Sequence, residues 1–389
     1  MKKLLALAIC LAMVIGLTAC TARPAPEATA APAAEATEAP AAAEPEAPAA
    51  AGIAKEDLKI GIILIGDSSD MGYNYAHAHG LEVTKQNLGL SDDQIIMKEN
   101  IPEDSACADA INELIEAGCQ LIFANSFGFG TYMAEAAEAH PEVFFAHATG
   151  PINNGTNMCN YFGRIYQPRY LAGIAAGLKT QSKKIGYVGA FSNAEVNQGL
   201  NAFTLGVQSV CPDAQVFVKY TQSWYDPTNE AAAANALLDM GCDIIAQHVD
   251  TTGPQVAAEA RGAWGCGYNA DMTEAAPNAH LCAPIWNWGG VMTKITQSVI
   301  DGTFEGKLTY GDMIDGTCDL SPLTANCAEG TQAKVDEVKQ KFLDKTWDVF
   351  QDGVTLASGE QVAGSTFTDD FIYSGMDSEA WLVKGITVS

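Results

Sequence analysis

Leu58-Lys59-Ile60-Gly61-Ile62-Ile63-Leu64-Ile65 is a short apolar run that breaks into Gly66-Asp67-Ser68-Ser69-Asp70-Met71-Gly72-Tyr73-Asn74. Similar runs recur at Leu121–Ala124, Val143–Ala146, Lys184–Gly189, Asp243–His248 and Ala263–Gly267. Longer segments with helical spacing of apolar residues lie between them, as at Ala106–Ala117, Thr131–Ala139, Ala194–Val210 and Pro227–Met240. Short buried strands alternating with helices predict parallel sheets covered by helices on both faces, an α/β fold. A block from 58 to about 180 and another from about 184 to 282 repeat the pattern, and the tail from Trp286 returns with further helix and strand. The expected body, 57–389, is therefore two similar lobes with a cleft between them. Lobe 1 takes about 57–180 plus returning C-terminal segments, and lobe 2 about 184–282 plus part of 310–365.

Upstream of this body the composition changes twice. Lys2 and Lys3 precede an apolar stretch, Leu4 to Leu17, too short to span a bilayer, and Leu17-Thr18-Ala19-Cys20 closes it with small residues before a cysteine. This reads as a lipoprotein signal peptide over 1–19, with Cys20 as the lipidated first residue of the mature chain and an anchor on the extracytoplasmic face of the cell membrane. The stretch that follows, to residue 56, is dominated at first by Ala, Pro, Glu and Thr. Pro24, Pro26, Pro32, Pro40, Pro45 and Pro48 each remove a backbone donor, so a tether is expected rather than a helix.

A formal charge of −26 argues against nucleic acid as a ligand, because phosphate binding needs a basic surface. Of eleven cysteines, Cys10 leaves with the signal and Cys20 carries lipid, and the odd remainder cannot all pair. Cys119 and Cys242, each after a glycine where a helix turns into a strand, read as buried packing. Cys318 and Cys327 are the pair close enough in a loop-like stretch to be considered for a disulfide. His77 and His79 would point to different sides of a helix, which opposes a metal pair, and no metal or cofactor is expected.

In open α/β sheets ligands sit beyond the carboxyl ends of the strands. Those positions hold Asp70, Tyr73 and Asn74; Asn125 and Phe127; Ser223-Trp224-Tyr225-Asp226-Pro227; His248 and Asp250; Tyr268-Asn269-Ala270-Asp271; and Trp286-Asn287-Trp288. Three of the six tryptophans are here, and an aromatic at a strand end is best used by a flat ligand that stacks on it. Structural roles compete for several of these residues. Asp226 before Pro227 is an ideal helix start, Phe127 divides between pocket wall and core, and His248 reads equally well as a buried, satisfied histidine. Arg169 and Tyr170 read as lobe-core or hinge residues, Trp264 as core, and Tyr225 as facing away from Trp224 in an extended segment.

Taken together, Asp70-Met71-Gly72-Tyr73-Asn74, Pro168-Arg169-Tyr170-Leu171-Ala172-Gly173, Ile185-Gly186-Tyr187-Val188-Gly189, Gly241-Cys242-Asp243-Ile244-Ile245 and Gly267 to Met272 resemble the basic membrane protein family of substrate-binding lipoproteins. The resemblance spans about 58–389 and implies a type I periplasmic-binding-protein-like fold, an ABC permease as partner, a purine base or nucleoside as ligand, and a monomer. It also implies that Tyr73 and Trp224 are the two rings that sandwich the purine. The family's aspartate in the Gly-Val-Asp turn and its later lysine, both associated with ribose, correspond here to Asn269 and the Trp286–Trp288 stretch, with Asp271 as the alternative acidic position. Loss of those partners favours a free base such as adenine over a nucleoside. An enzyme is not expected: Asp70, Asp226 and Asp250 could serve a nucleosidase, but no nucleophile elbow, metal cluster or phosphate-cradling loop accompanies them. A surface sensor or adhesin using the same cleft is the remaining alternative.

Overall fold

The computed structural model describes residues 52–389; the signal peptide, Cys20 and nearly all of the tether lie outside the described residues. From Ile60 the chain runs β1 (Ile60–Ile63), α1 (Tyr73–Leu88), β2 (Ile95–Lys98), α2 (Ser105–Glu116), β3 (Leu121–Ala124), α3 (Gly130–Ala139), β4 (Phe144–Ala148) and β5 (Met158–Gly163). Helix α4 (Tyr166–Lys179) leads to the second lobe: β6 (Lys184–Gly189), α5 (Ala194–Val210), β7 (Gln215–Tyr220), α6 (Pro227–Asp239), β8 (Ile244–His248), α7 (Gly253–Ala260), β9 (Trp264–Cys266) and β10 (His280–Cys282). The tail adds β11 (Pro284–Trp286), α8 (Trp288–Asp301), β12 (Leu308–Gly311), β13 (Cys318–Leu320), α9 (Thr331–Leu343), β14 (Val354–Thr355), β15 (Gln361–Val362) and β16 (Ile386–Val388).

Two six-stranded sheets result, with strand orders β12-β5-β4-β3-β1-β2 and β10-β9-β8-β6-β7-β16. Every neighbouring pair in both is parallel. Leaving out β12 and β16, the two orders are one topology used twice: the second strand lies outside the first, and the third lies on its other side. Each sheet therefore has its switch point between first and third strands, β1/β3 and β6/β8, where an open α/β sheet forms its crevice. The tail is shared between lobes, β12 extending the first sheet beside β5 and β16 the second beside β7.

The strands β1, β3, β6 and β8 are buried almost throughout, as their continuous apolar runs predict. Helix α4 is buried from Tyr166 to Gly177, the mark of a helix enclosed on all sides. It lies so close to α5 that a methyl group at Gly173 would come within 2.1 Å of the Phe203 carbonyl oxygen. Only glycine permits that approach. Strands β2, β5 and β7 have no clear apolar run: β2 is partly exposed, β7 alternates, and β5 carries the buried Asn160, whose amide donates to the Thr149 carbonyl at 2.6 Å.

The Cys318–Cys327 pairing considered from the sequence is not formed, and all nine described cysteines are free. Cys318 is buried opposite Trp286 in the β11–β13 ladder, while the Cys327 thiol points at the Leu281 carbonyl, 3.4 Å away. Trp264 is half-buried rather than core, with the Lys179 ammonium 3.7 Å above its ring. Among the described residues no helix is long and apolar enough to cross a membrane.

Candidate functional site

A cavity of about 260 Å³ of empty space, its mouth included, lies where the two switch points face each other. Tyr73, Asn125, Ser126, Phe127 and Thr149 line it from lobe 1, and Glu195, Trp224, Asp250 and Tyr268 from lobe 2. Each follows a strand of the parallel sheets: Tyr73 after β1, Asn125 after β3, Thr149 after β4, Glu195 after β6, Trp224 after β7, Asp250 after β8 and Tyr268 after β9. The lobes touch at the cavity's edge, since a methyl group at Gly72 would stand 1.9 Å from the Asp250 carbonyl oxygen. Glycine at 72 is thus what lets the first turn of α1 close against lobe 2.

Lobe 1 builds its wall with a hydrogen-bonded frame. The Asp70 carboxylate accepts from the backbone N–H groups of Gly72 (2.7 Å), Asn74 (3.1 Å) and Tyr75 (2.9 Å) and from the Asn74 side chain (2.8 Å), capping the start of α1. Asn74 Oδ1 accepts from Gly66 N and from Asn125 Nδ2, and Asn125 Oδ1 accepts from Ile65 N. These contacts fix the loop that presents Tyr73. The Tyr73 hydroxyl and Thr149 Oγ1 are buried without a partner. Of the two roles weighed for Phe127, pocket wall and core, it takes the first: it lines the cavity and is 48% exposed.

Lobe 2 contributes buried charge. Asp250 is 4% exposed, and the side-chain hydrogen bond to its carboxyl is a long one from Asn269 Nδ2 at 3.3 Å. Burial, with Glu230, Asp70 and Glu195 adding like charge, raises its pKa well above the usual carboxylate range. Glu195, in the first turn of α5, has a side chain 12% exposed and an Oε2 with no partner. Desolvation pushes it up to about 8 against the opposing field of Arg169. His248, fully buried, has its Nε2 3.8 Å from Glu195 Oε1 and is held neutral by desolvation. Arg169 is enclosed behind these groups, its guanidinium 3.8 Å from the Tyr268 ring centre and donating to Tyr187 Oη and the Gln247 carbonyl.

The predicted residues separate by position. Tyr73, Asn125, Phe127, Trp224 and Asp250 converge on the cavity, with Asp70 and Asn74 bracing it from behind. Tyr225 sits on the outer face of the cleft, its ring 3.0 Å from where a methyl group at Gly66 would be. Asn269 is buried beside Asp250. Trp286 and Trp288 do not line the cavity: they stack on each other at 4.3 Å, Trp286 donates to Tyr268 Oη at 3.3 Å, and Trp288 is enclosed by His77 and Tyr161. Asp271 points out, 44% exposed, and caps its own turn through Thr273. Asp226 is the helix cap anticipated, accepting from Asn229 N. Sequence reading missed Thr149 and Glu195 as lining residues, while Ser126 and Tyr268 lay in strand-end loops it had marked without being singled out. The signal for Glu195 was present, because Ala190 to Glu195 is the loop and helix start after β6.

The sequence model of Bmp, described as ABC transporter substrate-binding protein PnrA-like, matches residues 58–349. The chain belongs to the Bmp family. This agrees with the resemblance drawn from its motifs. Over 334 residues this Bmp-family chain is 34% identical to a purine-binding protein of Brucella abortus, with 84% of this chain and 95% of that one covered. It is 32% identical over 326 residues to a Haloferax volcanii protein named as a candidate ABC transporter glucose-binding protein, covering 83% and 79%. The type I fold is shared with an ABC transporter solute-binding protein from Aeropyrum pernix, at a TM-score of 0.63 and 19% identity over 74% of this chain and 92% of that one.

Proposed function

We propose that this substrate-binding protein is the receptor of an ABC importer for a purine base, tethered outside the cytoplasm through lipid on Cys20. The observation that carries the reading is one cavity with an aromatic ring from each lobe, Tyr73 and Trp224, and buried polar atoms without partners around it, Tyr73 Oη, Thr149 Oγ1 and Glu195 Oε2. Rings from opposite lobes suit the two faces of a planar heterocycle, and unpaired polar atoms suit its hydrogen-bonding edge. The lobes meet beside the cavity at Gly72, so a bound base would be sealed from water, and the joined faces would be the surface a permease reads. The name of the Brucella relative points to the same ligand class.

A base is preferred to a nucleoside because the cavity between the touching lobes is narrow, so that a sugar in addition to the ring would force the lobes further apart. Calorimetric titration of the ligand-stripped protein with adenine, guanine, adenosine and glucose tests this. Micromolar or tighter binding of a base, with its nucleoside weaker, is expected. Tighter binding of adenosine would move the assignment to a nucleoside receptor, and a response to glucose alone would overturn the purine reading.

A further inference from the structure

We propose that the Glu195 carboxyl is a specificity-determining group of the cleft, reading a ligand edge that pairs one acceptor nitrogen with one N–H donor, the edge of a 6-aminopurine. The inference rests on the purine reading above and deepens it. Glu195 enters the cavity from the first turn of α5, where Asn193 already caps the helix by accepting from Val196 N at 3.0 Å. The carboxyl is therefore not needed as a cap. Its Oε2 is buried and unpaired, and His248 Nε2, 3.8 Å from Oε1, is beyond hydrogen-bond range. A buried carboxyl without partners inside a binding cavity is destabilising until something pairs with it, and the ligand is what enters there.

The protonation state decides which edge fits. An ionised carboxylate only accepts, and would match an edge with two donors; the neutral acid offers one O–H donor and one acceptor. The groups facing Glu195 are Arg169 on α4, His248 on β8, Asp250 beyond it, Tyr268 after β9, and from lobe 1 Tyr73 and Glu103. Desolvation is the largest influence, Arg169 opposes it, and Glu103 adds to it, leaving the pKa at about 8. At neutral pH the acid form prevails. Read at the N7/C6 edge, that form complements the N7 acceptor and N6–H donor of adenine, whereas guanine presents two acceptors there, N7 and O6, and its two-donor N1–H/N2–H edge suits the ionised carboxylate instead. Trp224 and Tyr73 would then hold the ring, and Glu195 would choose which base is accepted.

The test is adenine and guanine affinity of the full chain and of E195Q and E195A, measured by calorimetry from about pH 6 to about pH 9. Binding that needs the protonated acid should be constant near pH 6 and about tenfold weaker one unit above a pKa of about 8. Glutamine also offers one donor and one acceptor, so E195Q should keep the adenine affinity at low pH and lose its fall at high pH. E195A should bind about tenfold or more weakly throughout. The wild-type profile needs no variant to fold. A flat wild-type profile, the same fall in E195Q, or affinity that rises with pH and favours guanine would each overturn the assignment. Silence from both bases at about pH 6 would overturn the purine reading itself, and this inference with it.

Discussion

On the lobe 1 wall, Asp70, Asn74 and Asn125 bond to one another and to backbone N–H groups; on the lobe 2 wall, Glu195 has an unpaired buried oxygen and Asp250 one long side-chain contact. Both sets sit at strand ends in the same sheet topology. The difference teaches that polar residues at strand ends have two uses. One set satisfies the loop that carries a ring, which holds geometry but leaves little to offer a ligand. The other is buried at a cost that only an occupant removes, which suits a group that selects.

The largest test of this contrast concerns the indoles that the sequence suggested for the ligand. Trp288→Ala should lower folding stability by about 3–5 kcal/mol, read from urea denaturation, because the ring is fully buried against Trp286, His77 and Tyr161. Unchanged stability with lost binding would instead put Trp288 on the ligand. Next comes the lobe 2 ring. Trp224→Ala should weaken base binding tenfold or more, since a stacking partner contributes about 1–3 kcal/mol. Full affinity in that variant would remove Trp224 as a stacking partner and break the symmetry of the two walls. The smallest effect is expected at Asp271→Asn, within about 0.5 kcal/mol in both stability and binding, because this carboxylate is half-exposed and occupied by Thr273. A marked loss of affinity there would bring the outer turn into the site.

Where sequence reading succeeded and failed follows from what each residue does. Strands β1, β3, β6 and β8 were legible because burial on both faces requires unbroken apolar runs. Strands β2 and β7 were not, since partial exposure dilutes the pattern, and β5 was hidden by Asn160, whose partner Thr149 lies on the preceding turn. Trp224 was found because a large ring at a strand end is conspicuous. Glu195 was missed because an acidic residue in the first turn of a helix is ordinary, favoured by the helix dipole whether or not a cavity is near. Trp286 and Trp288 show the reverse error: their position resembled a ligand loop, yet the turn folds back and packs both rings behind Tyr268.

The sequence by itself determined the two α/β lobes, the family and the ring residues at strand ends, because strand burial, helical spacing and motif order are properties of neighbours along the chain. Only the tertiary structure decided which polar side chains already had partners, that Glu195 faces the cavity, and that the indoles brace rather than line it. Those outcomes depend on side chains far apart in sequence, such as Glu195 and Arg169 or Trp286 and Tyr268, meeting where desolvation and hydrogen bonding act on them together.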